Sequence, residues 1–261
     1  MSSAIDLLFR PVATPDLPDA EDAIGHDAAL AVLDRLADGF ARPGAGQAGP
    51  SFSLGDLAPD DLAFLDRVLG EGEVSLVCGS DLQAEETVLP GVWRVRAASA
   101  DGRLDAGRVA VGAFPVAILE RAFAGASAAP TLPAEWPEGV YNAPALLAEI
   151  AGKAGTPAGA ENHVINLTVL PHTGEDLALL DEVLGRGPLT AVSRGYGSCH
   201  VATAAVAGVW WVRQFNSGGT VVLNAIEIGG PPDVLKAAPE DLAESAMRLD
   251  RIRAHFAGRG E

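Results

Sequence analysis

The chain has 261 residues, room for one large domain or two of about 100–150 residues. Its 48% apolar content comes with 30 glycines and 18 prolines, which points to short elements and many turns rather than a long helical bundle. Its 35 acidic residues against 18 basic ones give a net charge of −17, which argues against nucleic acid and membrane surfaces as partners and favours a basic segment of another protein.

The first residues lack the basic start and apolar run of a secretory or twin-arginine signal, so a cytoplasmic protein is expected. In that setting the two cysteines, Cys78 and Cys199, are expected as free thiols. Residues 1–26, rich in proline and aspartate, read as an extended N-terminal arm.

A first α+β repeat is expected over residues 27–125. "DAALAVLDRL" from Asp27 reads as its opening helix, and "ARPGAGQAGPS" from Ala41 as a flexible loop. A second helix lies in "DLAFLDRVLGEG", Asp61 to Gly72, with Gly70 as its stop. "GVWRVR" from Gly91 then reads as a strand. Residues 126–141 are rich in proline and alanine and read as an extended linker.

Residues 142–258 repeat this pattern. "DLALLDEVLGRG", Asp176 to Gly187, matches the Asp61 segment at 9 of 12 positions with an offset of 115. "GVWWVR" from Gly208 matches "GVWRVR" at 5 of 6 with an offset of 117, so the second copy carries two extra residues between these landmarks. Those residues fall in or beside "SRGYGSC", Ser193 to Cys199, which makes that glycine-rich loop an elaboration of the second copy.

"APALLAEIAG" from Ala143 answers to the opening helix of the first copy. Thr173 and Asp176 form a capping-box variant ahead of a helix whose Leu177, Leu180, Val183 and Leu184 share a face. Four strands are expected next: 189–193, about 200–206, 209–215 and 220–228. Ala207-Gly208 and Ser217-Gly218-Gly219 suit hairpin turns between them. Leu242, Ala246, Leu249, Ile252 and Phe256 then follow helical spacing, with Gly258 as a stop.

The expected fold is therefore α+β. It consists of two tandem similar repeats, each a mainly antiparallel meander with helices packed on one face, related by a pseudo-twofold axis.

The run between Arg194 and Arg213 has no charged residue, yet its glycines with Ser198, His200 and Thr203 make it too polar and broken to span a membrane. Gly195-x-Gly197 resembles part of a dinucleotide fingerprint, but His200 stands where the third glycine is needed. Cys199 and His200 are adjacent on a strand and point to opposite faces, which disfavours a shared metal ion. No metal or cofactor is expected.

By the same alternation Trp210, matched by Trp93, is expected in the core, and Trp211, matched by Arg94, at a contact surface. Arg194 and Tyr196 are residue types enriched at binding hot spots. With Cys199, His200 and Arg213 they complete a candidate partner-binding set, and no catalytic group is expected.

The stretch Asn166 to Ile228, with its "SRGYGSC" and "GVWW" segments, resembles the C-terminal region of the HupH/HyaF hydrogenase expression/formation proteins. The closing "APEDLAESAMRLDRI" continues the likeness; His200 stands where the family pattern has arginine. The resemblance implies an accessory protein in maturation of uptake nickel-iron hydrogenases. Its implied role is a chaperone of the iron–sulfur small-subunit precursor before twin-arginine export, with contacts to other maturation proteins. A metal- or cluster-handling protein that uses Cys199, as in nickel incorporation, is the alternative, and a cysteine-dependent enzyme a third.

Overall fold

The computed structural model of the chain describes residues 17–42, 49–99, 101–155, 161–195 and 197–258. They form two compact units: residues up to Ile118 together with Leu235 onward, and Leu119–Val234.

The first unit opens with α1 (Asp27–Phe40), whose Val32, Leu33 and Leu36 fall on one buried stripe. β1 (Ser51–Ser53) follows, then α2 (Pro59–Leu69), where proline in the first turn presets the helical φ. Its Phe64, Leu65, Val68 and Leu69 are buried. The strands β2 (Val74–Cys78), β3 (Leu82–Glu86), β4 (Val92–Ala97) and β5 (Arg108–Val111) complete the unit's sheet. Their order is β1-β5-β4-β3-β2, antiparallel at each pairing.

The second unit repeats this plan with α3 (Ala143–Lys153), β6 (His163–Asn166) and α4 (Gly174–Leu184). β7 (Leu189–Ser193), β8 (Ser198–Thr203), β9 (Val209–Phe215) and β10 (Val221–Ile228) then run in order β7-β8-β9-β10-β6, again antiparallel. Each sheet is thus the expected four-strand meander plus one short outer strand. β1 and β6 have only three and four residues, too few for a period-two signal to reveal them in the sequence.

The duplication extends to individual hydrogen bonds. Gly72 N donates to Glu86 O in the first unit, and Gly187 N to Thr203 O in the second. Val88 N to Leu69 O is matched by Ala205 N to Leu184 O, and Gly112 N to Gly91 O by Gly229 N to Gly208 O. Trp93 and Trp210 are both fully buried, and their indole Nε1 atoms donate to Gly112 O at 2.8 Å and Gly229 O at 3.2 Å.

The second helix of each unit also holds the start of the leading helix. Asp61 Oδ1 pairs with the ring Nδ1 of His26 at 2.9 Å, and His26 is the N-cap of α1. Its counterpart Asp176 is fully buried: Oδ1 accepts from the backbone N–H groups of Tyr141, Asn142 and Ala143, and Oδ2 from Thr173 N–H. Thr173 Oγ1 accepts from Asp176 N–H at 3.0 Å, which closes the expected capping box.

Two segments pack away from the repeat to which the sequence assigns them. α5 (Pro239–Ala257), expected within 142–258, belongs to the first unit, where Leu249 and Phe256 join Leu33, Leu65, Val92 and Val109 in one core. Arg253 Nε pairs with Asp34 of α1 at 2.7 Å. Conversely, Phe123 meets the ring of Trp210 edge-on at 5.0 Å, and the linker residue Ser127 pairs in parallel with Val206 of the second unit. Amphipathic spacing shows that a helix buries one face, but not which sheet that face meets.

Of the N-terminal arm, residues before Leu17 lie outside the described ones. Ala20–Ala23 form a single 3-10 turn that buries Ala23 in the first core, so this part is not extended. No helix among the described residues is long and apolar enough to cross a membrane.

Candidate functional site

In the second unit α3 and α4 cover one sheet face, on which Ile165, Trp211, Ile226 and Ile228 join Leu147, Leu180 and Leu184. Cross-strand pairs place Ala202 opposite Trp211 and His200 opposite Arg213 on this same face. Beside the end of α4 it opens into a pocket of about 300 Å³, whose lining includes Arg186, Thr190, His200, Ala202, Trp211 and Arg213.

The pocket is basic within a strongly acidic chain. The guanidinium of Arg213 lies 5.0 Å above the ring of Trp211, a cation–π contact. Burial, then the charge of Arg186, pushes the pKa of Arg213 below its ordinary value, and Asp181 opposes this. Burial and the Arg213 charge likewise lower the pKa of His200, whose ring stands 4.8 Å from that of Phe215. Arg186 Nη2 bonds Asp181 Oδ1 at 2.5 Å.

Three of the six candidate residues therefore meet: His200, Trp211 and Arg213. Arg194 is half-buried immediately after β7, in the turn leading to β8, and Tyr196 in that turn lies outside the described residues. The division of labour expected between the tryptophans needs correction. Trp211 is only 6% exposed and belongs to the helix-side core, its Nε1 donating to Asn224 Oδ1 at 2.6 Å. Alternation sends neighbouring tryptophans to opposite faces, but here both faces are buried.

Cys199 shares neither the pocket nor the face of His200. It is buried, and burial followed by the charge of Glu227 pushes its thiol up to about 11, so that it holds its proton at neutral pH. Both cysteines are free thiols. Among the described residues no group of three or more His, Cys, Asp and Glu is placed to hold a metal ion. Sequence reading missed Arg186 and Ala202; the signal for both lay in the alignment of the copies, which sets them opposite Glu71 and Glu85.

The family model for the C-terminal conserved region of the HupH hydrogenase expression protein matches residues 5–132 and, a second time, residues 140–256. The chain belongs to the HupH family. The double match to this HupH region follows the internal duplication. The "Hydrogenase expression/formation protein HupH" of Rhodobacter capsulatus is 40% identical over 242 residues, covering 90% of this chain and 84% of that protein. The "Hydrogenase-1 operon protein HyaF" of Escherichia coli K12 is 31% identical over 201 residues, 76% of this chain and 70% of that protein. A solved HupH structure from Thiobacillus denitrificans is 31% identical and covers 43% of this chain and 95% of its own, with a TM-score of 0.39. Membership of the HupH family ties the chain to hydrogenase maturation.

Proposed function

We propose that the chain is a non-catalytic maturation chaperone for uptake nickel-iron hydrogenase that binds the iron–sulfur small-subunit precursor before twin-arginine export. The observation that carries this reading is the asymmetry of the two copies. The second copy carries two extra residues in the turn after β7 and has a basic and aromatic pocket on its sheet, while the chain as a whole is acidic. The net charge of −17 suits a precursor that carries a basic export peptide, through long-range attraction that speeds encounter. A buried, protonated Cys199 gives the metal-handling alternative little support.

The test is capture of the full-length chain by immobilised small-subunit precursor with and without its export peptide. Capture is expected from the wild-type chain and lost in the double variant Arg194→Ala, Tyr196→Ala at an unchanged melting temperature. Capture retained by that variant would remove the turn from the docking surface, and no capture of the wild-type chain would end the precursor reading.

A further inference from the structure

The first unit serves as an internal control for the pocket of the second. There Glu85 faces Arg94 and Gln83 faces Arg96 across β3 and β4. Arg94 ion-pairs with Asp66; Arg96 Nη2 lies 3.5 Å from Asp66 Oδ1, and its Nη1 lies 3.8 Å from Glu85 Oε2. The chain's own carboxylates thus neutralise the cations on that face.

At the equivalent places of the second unit Glu85 becomes Ala202 and Arg94 becomes Trp211, whereas Arg96 persists as Arg213. Asp181, the counterpart of Asp66, is engaged by Arg186, which stands where the first copy has Glu71. Among the described residues no carboxylate lies within ion-pairing distance of Arg213. The truncation at Ala202 contributes to the open volume of about 300 Å³. The acidic side chain that lies beside the arginine of the first copy, Glu85, has no counterpart beside the retained Arg213, where the pocket stands open.

We propose that this pocket receives the carboxylate of an aspartate or glutamate side chain on a partner protein, which takes the place that Glu85 occupies in the first unit. Arg213 supplies the charge-assisted donors, and the ring of Trp211 holds its guanidinium in place from below. Arg186 lines the same pocket, its charge paired with Asp181. Burial and the charge of Arg186 disfavour the charged form of Arg213 against the opposing charge of Asp181, and an incoming carboxylate relieves that cost. The inference deepens the proposed docking role and rests on it for the partner's identity, but not for the chemistry of the pocket.

The experiment titrates the full-length, isotope-labelled chain with N-acetyl-Gly-Glu-Gly-amide and follows the side-chain NMR signals of Arg213 and Trp211. The same peptide with glutamine, and acetate alone, are run beside it. Saturable shifts are expected with the glutamate peptide, weaker by about tenfold or more with the glutamine peptide and in the variants Arg213→Gln and Ala202→Glu. Acetate matching the glutamate peptide would show an adventitious anion and overturn the proposal, as would equal responses to glutamate and glutamine peptides.

Ala202→Glu restores the carboxylate of the first copy and closes the pocket from within; Arg213→Gln tests the same contact where that variant folds poorly. Precursor capture is measured in parallel. Capture lost in Ala202→Glu with an unchanged melting temperature assigns the carboxylate to the precursor. A saturable glutamate response without precursor capture by the wild-type chain upholds the pocket and removes the precursor as its occupant.

Discussion

Replacing Glu86 with glutamine removes a carboxyl group that the first unit buries at the end of β3. Glu86 is 8% exposed, and one of its oxygens accepts from Gly91 N–H at 3.2 Å. Burial raises its pKa most, the Gly91 hydrogen bond opposes this, and the charges of Glu73 and Asp241 raise it further, from the ordinary 4.5 to about 7. Between these values the folded chain holds a proton that the unfolded chain has released, so stability falls as pH rises through this window and levels off above it. The shift corresponds to about 3 kcal/mol at about 1.4 kcal/mol per pH unit. Glutamine keeps an acceptor for Gly91 and never ionises. Glu86→Gln is therefore expected to match the wild-type chain near pH 4 and to exceed it by about 3 kcal/mol at pH 8, or about 6–12 °C in Tm. Urea unfolding at a series of pH values between these limits measures the difference, and parallel stability profiles for the two chains would refute the reasoning.

Asp176→Asn is expected to cost about 3 kcal/mol at pH 7, because an amide nitrogen replaces one of two oxygens that together meet four backbone N–H groups. Although burial opposes it, those hydrogen bonds hold the Asp176 pKa below its ordinary value. The deficit of the variant should persist above the ordinary carboxylate range and vanish as pH falls through the depressed folded value, as thermal melts across acid pH would show. The Cys199 thiol, raised from the ordinary 9.0 to about 11, should alkylate about a hundredfold more slowly in the native chain than in denaturant at pH 7.5, read by mass spectrometry of its peptide. Gly197 has φ +83°, and a Cβ there would stand 2.2 Å from Phe215 O, so Gly197→Ala should cost about 2–3 kcal/mol in a melt. Gly219→Ala, at φ +77° with open space around it, should cost only about 1–2 kcal/mol.

The duplication was legible because its landmarks are helix and strand segments whose residues do the same packing work twice. Leu69 and Leu184 end equivalent helices, and Trp93 and Trp210 donate to equivalent carbonyls. Thr173 and Asp176 announced the start of α4 because capping depends on residues only three apart. What remained hidden depends on distant partners. The spacing of Leu249 and Phe256 showed a buried stripe but not that Phe64 meets it. Cross-strand pairing, absent from a linear reading, gathers His200, Arg213 and Arg186 around one pocket and sends Cys199 to the other face. Trp211 reads as a surface residue when Arg94 is taken as exposed, yet Arg94 is itself 6% exposed.

The placement of α5 fixes when the first unit can mature. Residues 27–118 leave the ribosome well before Leu249 and Phe256, which close that unit's core. Until α5 is synthesised the nascent first unit leaves apolar surface around Leu33 and Leu65 without its native cover, an interval that invites a general chaperone or misassociation between neighbouring polysomal chains. A truncation that removes α5 would thus damage the core built by residues 27–118 more than the second copy, which precedes α5 in the sequence.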